Sequence, residues 1–60
     1  MKFKVGDKVK QLHHKDVGTV AEAYYDRQAA SGEWYLIDFG PGNGNQWSDG
    51  QTFRKISDEL

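Results

Sequence analysis

Turn-forming segments divide this sixty-residue chain into pieces that are too short for a long helix. These segments are rich in Gly, Asp, Asn, Ser and His, and they cover residues 6–7, 13–16, 26–33, 40–45 and 49–52. The pieces between them carry no heptad and no sustained apolar repeat of helical period. Short apolar runs separated by turn signals are typical of an all-β domain. We therefore predict one all-β domain spanning residues 1–60.

Apolar and basic residues alternate near the N-terminus. The apolar members fall on odd positions, at Phe3, Val5 and Val9. The basic members fall on even positions, at Lys2, Lys4, Lys8 and Lys10. Successive side chains of a strand point to opposite faces, so this pattern predicts an apolar face turned inward and a lysine face turned outward. The first full strand is predicted over residues 8–12.

Four further strands are predicted, over residues 17–25, 34–39, 46–48 and 53–56. Residues 17–25 mix apolar and polar side chains on both parities and include Gly18, so we expect a bulge or a close backbone approach there. Residues 49–52 are expected to form at most a single 3₁₀ turn before the last strand. The predicted core contains Phe3, Val5, Val9, Val20, Tyr35, Ile37, Phe39, Phe53 and Ile56.

The order of these core and turn residues resembles a known family. It reads Phe3-x-x-Gly6-Asp7-x-Val9, Gly18-Thr19-Val20, Tyr35-x-Ile37-x-Phe39, Trp47, then Phe53-x-x-Ile56. This pattern, which spans residues 3–56, is similar to the SH3-like barrels of the KOW, Tudor and related small bacterial or phage domains. The resemblance implies a five-stranded SH3-like barrel. Such barrels bind RNA, DNA, methylated or proline-rich peptides, or other subunits, so the fold alone selects no function.

One enzyme has a similar outline, the type II dihydrofolate reductase, whose short SH3-like chains assemble around a pore that carries a Val-Gln-Ile-Tyr motif. This chain lacks the motif, and its one glutamine beside an aromatic residue is in the pair Gln46-Trp47. We therefore expect no reductase activity.

Other catalytic and metal chemistry lacks a basis in the sequence. There is no cysteine, and the serines have no base placed near them by a motif. His13 and His14 are adjacent, so on an extended chain they point in opposite directions and do not share a metal ion. The glycine-rich segment 40–45 lacks the Lys-Ser/Thr pair of a phosphate-binding loop. We predict no catalytic residue, no metal site and no cofactor.

The aromatic residues supply the leading hypothesis. Two Trp, three Tyr and three Phe are more than a core of this size readily holds. We assign Tyr25, Trp34 and Trp47 as partly exposed and partner-binding. With Asp38 or Asp49 nearby, such rings can accept a cation. The sequence thus predicts a non-enzymatic binding or adaptor module for a protein or peptide partner.

The lysine strip supplies the alternative, nucleic-acid binding through Lys2, Lys4, Lys8 and Lys10 together with a stacked aromatic residue. The net charge of −1 and the isoelectric point of about 6.0 are atypical of nucleic-acid binders. Lysines on an edge strand also prevent pairing with other sheets. Both surfaces therefore remain candidates.

The chain shows no apolar run of the length that a signal peptide or a membrane span requires. We accordingly expect a cytoplasmic protein without membrane contact, acting as a monomer or a small homo-oligomer.

Overall fold

The computed structural model describes residues 1–56 and shows five strands and one 3₁₀ turn. The strands are β1 (Lys8–Gln11), β2 (Val17–Tyr25), β3 (Glu33–Asp38), β4 (Asn45–Asp49) and β5 (Phe53–Lys55), and the turn covers Gly50–Thr52 between β4 and β5. The prediction of an all-β fold with a single 3₁₀ turn before the last strand is confirmed. The end of the predicted domain, residues 57–60, lies outside the described part of the chain.

All five strands belong to one antiparallel sheet, in the order β4-β3-β2-β1-β5. Within residues 1–56 no ladder joins β4 to β5, so these two strands are the edges of the sheet. The finer expectation, an SH3-like barrel, stays a prediction at this point.

A bulge interrupts the pairing of β2 with β3, as the sequence predicts. Val20 lies opposite Ile37, whereas Glu22 lies opposite Leu36, so Ala21 is an additional residue on β2. Val20 and Glu22 have the same sequence parity, but the additional residue places Val20 in the core and Glu22 on the exposed face. The mixed pattern of β2 is therefore a consequence of the bulge.

The core lies against one face of the sheet and includes Phe3 from the segment before β1. Its buried hydrophobic members are Phe3, Val9, Val20, Tyr35, Ile37 and Phe53, all six of them predicted. Phe39 packs against this cluster, and Ile56 is also half-buried.

The prediction for Val5 is wrong, because its side chain is 64% exposed. The backbone leaves the extended conformation at Gly6, which has a φ of 96°, and the Asp7 amide donates to the Lys4 carbonyl oxygen. Strand parity does not continue through such a turn, so the alternation of residues 3–9 does not place Val5 inside.

Two carboxylates form hydrogen bonds that hold segments outside the strands against this sheet. Glu33 accepts hydrogen bonds from the Tyr35 hydroxyl and from the Lys2 amide (3.0 Å), and these bonds hold the pKa of Glu33 below its ordinary value. Asp49 accepts from the Gln51 amide (2.9 Å) and the Ser31 amide (3.1 Å), which lower the pKa of Asp49. Asp49 thereby caps the 3₁₀ turn and ties it to the loop between β2 and β3.

In an Asp49→Asn variant, Tm is expected to fall less at acidic pH than it does in the parent. A carboxylate whose pKa is lowered by folding stabilises the protein above its ordinary pKa of about 4. That stability is lost as the pH falls through the lowered value, when the carboxylate takes up a proton. Tm measured between about pH 7 and pH 3 should therefore fall less in Asp49→Asn than in the parent.

Asp16→Asn is the matched control, because within residues 1–56 the Asp16 side chain makes no hydrogen bond or ion pair. Its profile should follow that of the parent. Parallel profiles for the parent and Asp49→Asn would contradict the role given to Asp49.

Candidate functional site

Four apolar side chains form a continuous surface on the outer face of β2, β3 and β4. Leu36 lies opposite Trp47 in the β3–β4 ladder, and Trp34 lies opposite Tyr24 in the β2–β3 ladder. The rings of Tyr24 and Trp47 are 5.8 Å apart between centroids and are inclined by 32°. We call this set (Tyr24, Trp34, Leu36 and Trp47) the outer aromatic patch.

The structure brings two of the three predicted aromatic residues into this patch. Trp47 is 43% exposed and Trp34 is half-buried on the same face, where Trp34 lies two residues along β3 from Leu36, the ladder partner of Trp47. Tyr25 is 77% exposed, but its ladder partner is Glu33, so it has the parity of the opposite face. Tyr24, which is 50% exposed and was not selected from the sequence, occupies the patch instead. The mixed parity of β2 was the sequence signal for Tyr24, but its interpretation requires the position of the bulge.

Carboxylates border the outer aromatic patch. The Glu22 carboxylate accepts a hydrogen bond from the Tyr24 hydroxyl, and this bond raises the pKa of Tyr24. Asp38 lies beyond Leu36 on the same face of β3, and its carboxylate accepts from the Gly40 amide at 2.9 Å. Within residues 1–56 neither carboxylate forms an ion pair with a lysine or arginine. The patch is therefore an apolar surface with a negative border.

The predicted lysine strip is divided by the fold. Lys8 and Lys10 project from one face of β1, and Lys10 lies directly opposite Arg54 of β5. Lys2 lies elsewhere, with its Nζ 3.5 Å from the Gly50 carbonyl oxygen. Lys4 belongs to the turn closed by Asp7, whose carboxylate accepts from the Lys4 amide at 2.9 Å. The structure therefore groups Lys8 and Lys10 with Arg54, because the pairing of β1 with β5 places Arg54 beside Lys10.

A separate polar cleft of about 500 Å³ opens between the loop after β1 and the loop after β3. Its lining consists of Gln11, Lys15, Asp16, Val17, Phe39, Asn43 and Gln46. The sequence predicted Phe39 as a core residue and none of the seven as a site residue, because they come from separate segments of the chain.

The two histidines, His13 and His14, are both exposed in the loop after β1. In the part of the chain that the structure describes, no three His, Asp or Glu side chains are grouped so that they can hold a metal ion. Residues 1–56 also contain no helix with the length and apolar character needed to span a membrane.

Comparisons of the chain with protein-family models, with curated protein sequences and with solved structures found no match.

Proposed function

We propose that the sheet curls into an SH3-like barrel. The support is the three-residue turn Gly50–Thr52, which joins the two edge strands. In a flat sheet of five strands the edges are about 19 Å apart, at about 4.8 Å per strand spacing. Three residues of 3₁₀ turn advance only about 6 Å. The turn therefore connects β4 to β5 only if the sheet is strongly curved, and the bulge in β2 supplies a point of bending.

We further propose that the protein is a non-enzymatic binding module, which contacts a peptide segment through the outer aromatic patch. The observation that carries this proposal is the exposed pair of rings, Tyr24 and Trp47, at 5.8 Å beside the Glu22 carboxylate. Exposed aromatic side chains grouped on one face are typical of protein contact surfaces. Each ring offers a large apolar area with few rotatable bonds to immobilise.

The border of the patch selects the chemistry of the partner. Glu22 and Asp38 form no ion pair within residues 1–56, so a partner with basic side chains gains favourable electrostatic contacts there. The ring faces of Trp47 and Tyr24 also attract a lysine or arginine placed over them. The partner is therefore a peptide segment in which basic and apolar side chains both occur.

A Trp47→Ala variant is expected to bind such a segment at least roughly tenfold more weakly while the domain stays folded. The probes are two synthetic peptides of equal length, one alternating Leu with Arg and one alternating Leu with Glu. Isothermal titration calorimetry gives the Kd, and circular dichroism monitors the fold. The parent should bind the Leu-Arg peptide and should not bind the Leu-Glu peptide.

Tyr25→Ala is the matched control, because Tyr25 is a more exposed aromatic residue of β2 that lies off the patch. Its Kd should equal that of the parent. Glu22→Gln should weaken binding of the Leu-Arg peptide, since it removes one border charge and keeps the side-chain volume. Unfolding of Trp47→Ala, or equal binding of both peptides, would contradict the proposal.

The pair Lys10 and Arg54 supports nucleic-acid binding as the second candidate. Like charges directly opposite one another in a ladder are destabilising, and an anionic partner such as a phosphate removes that repulsion. Titration of a labelled single strand at low and at moderate salt separates the two candidates, because phosphate contacts weaken steeply as salt rises.

A further inference from the structure

We propose that the polar cleft is a second binding site, which takes a nucleobase carrying a phosphate group. A free mononucleotide and the end of a single strand both present this chemistry. The cleft volume of about 500 Å³ lies within the range of small-molecule sites. Its lining is mainly polar, unlike the apolar lining of most such sites, so the ligand must be polar over most of its surface.

Phe39 provides one flat apolar wall. The Phe39 ring packs on the core and lies 6.3 Å from the Phe53 ring between centroids, so its position is fixed from behind. It is half-buried, which leaves part of the ring facing the cleft. A planar heterocycle stacks on such a ring, whereas an aliphatic ligand gains no comparable contact.

Three carboxamides provide the hydrogen-bonding groups. Within residues 1–56 the side chains of Gln11 and Gln46 make no hydrogen bond. Asn43 donates from Nδ2 to the Phe39 carbonyl oxygen (3.3 Å), which fixes the amide and leaves its Oδ1 as an acceptor. A carboxamide presents a donor and an acceptor side by side, and this arrangement matches the edge of a nucleobase.

Two charged groups of opposite sign also line the cleft. In the described part of the chain Lys15 and Asp16 form no ion pair with each other or with another residue. The Lys15 ammonium group matches a phosphate, and the Asp16 carboxylate accepts from a ribose hydroxyl or an exocyclic amine. A purely anionic ligand without a donor group would leave the Asp16 carboxylate without a partner.

The walls of the cleft are held in place by backbone hydrogen bonds. The Gln11 amide donates to the Asp16 carbonyl oxygen at 3.2 Å, which closes the loop after β1. The Phe39 amide donates to the Gly44 carbonyl oxygen at 3.0 Å, which closes the loop after β3. A preformed site loses less conformational entropy on binding, so its polar contacts yield more affinity.

The cleft is independent of the outer aromatic patch. Gln46 lies opposite the buried Ile37, so it belongs to the core face of the sheet. Its neighbour Trp47 lies opposite Leu36 and belongs to the outer face. Substitutions in the cleft should therefore not affect binding at the patch, and substitutions in the patch should not affect binding at the cleft.

The test is an NMR titration of the full chain with AMP, GMP, CMP and UMP, and in separate arms with inorganic phosphate, with ribose 5-phosphate and with a six-nucleotide single strand. We expect saturable shifts of the side-chain amide signals of Gln11, Asn43 and Gln46 for at least one mononucleotide. A stronger response to the six-nucleotide strand would identify a strand end as the source, and an equal or weaker one the free mononucleotide.

Gln46→Ala should raise the Kd roughly fivefold or more, as expected for one lost hydrogen bond. Gln28→Ala, an exposed glutamine in the loop between β2 and β3, should leave the Kd unchanged. Phe39→Leu, which keeps the apolar volume and removes the stacking wall, should also weaken binding. Should this variant not fold, Gln46→Ala still decides the question.

Three results would overturn the proposal. One is the absence of saturable shifts up to about 10 mM of every mononucleotide, beyond the weakest affinities of interest. Another is an equal response to inorganic phosphate or ribose 5-phosphate, which would reveal an anion site without base recognition. The third is loss of binding in Trp47→Ala together with full binding in Gln46→Ala, which would place the ligand on the outer aromatic patch.

Discussion

An Ile37→Ala variant is expected to lose about 2–5 kcal/mol of unfolding free energy. Ile37 is fully buried, and it lies at the centre of the sheet opposite Val20 on β2. Truncation removes buried methyl and methylene groups and leaves a cavity that the neighbouring strands fill only in part. A domain of this size has little stability to spare, so the variant should be largely unfolded near room temperature. Urea denaturation followed by circular dichroism measures the loss.

Leu36→Ala is the matched comparison, because Leu36 is the adjacent residue of the same strand and belongs to the outer aromatic patch. It is half-buried, so the same truncation should destabilise the domain clearly less. Equal losses for the two variants would show that the two faces of β3 are not distinguished as the structure describes.

A Gly18→Ala variant is expected to be destabilised by about 1–3 kcal/mol or more through overpacking. A Cβ atom at Gly18 would overlap Ile37 Cγ2 and would lie 3.1 Å from the Asp38 carbonyl oxygen. The first contact is with a branched side chain that cannot turn away within the core, and the second is with backbone. The close approach predicted at Gly18 is thus confirmed, and glycine is required there for space.

Two further variants separate this steric effect from a general effect of glycine replacement. Gly32→Ala adds a Cβ with no heavy atom within 4 Å but at a φ of 79°, so it should lose only about 1–2 kcal/mol through backbone strain. Ile37→Leu removes the branched methyl group that a Cβ at Gly18 would meet. Adding Gly18→Ala to Ile37→Leu should therefore destabilise less than adding it to the parent, in a double-mutant cycle from thermal melts. A cycle without coupling would assign the loss to some other contact.

The strand content of this protein follows from local sequence patterns. The apolar run Trp34–Phe39 and the surrounding turn residues predict β3 to within one residue, and residues 17–25 match β2 at both ends. Six core residues are also predicted correctly, and two of them, Tyr35 and Ile37, follow from alternation within β3, because strand parity fixes which side chains share a face. Local chemistry determines these features, so the sequence is sufficient to predict them.

Strand pairing determines the candidate surfaces, and pairing depends on contacts between distant residues. The bulge at Ala21 places Tyr24 rather than Tyr25 beside Trp47, and the exact position of a bulge depends on the partner strand. Lys10 lies opposite Arg54 only because β1 pairs with β5, and these two strands come from opposite ends of the chain.

Local sequence is enough to predict short strands with one apolar face, and the composition shows more aromatic side chains than the core buries. Which of those side chains gather on the outer face, and which polar residues line the cleft, depends on the fold as a whole. Strand parity is a property of neighbouring residues, whereas the register of the ladders and the curvature of the sheet depend on how all five strands pack together.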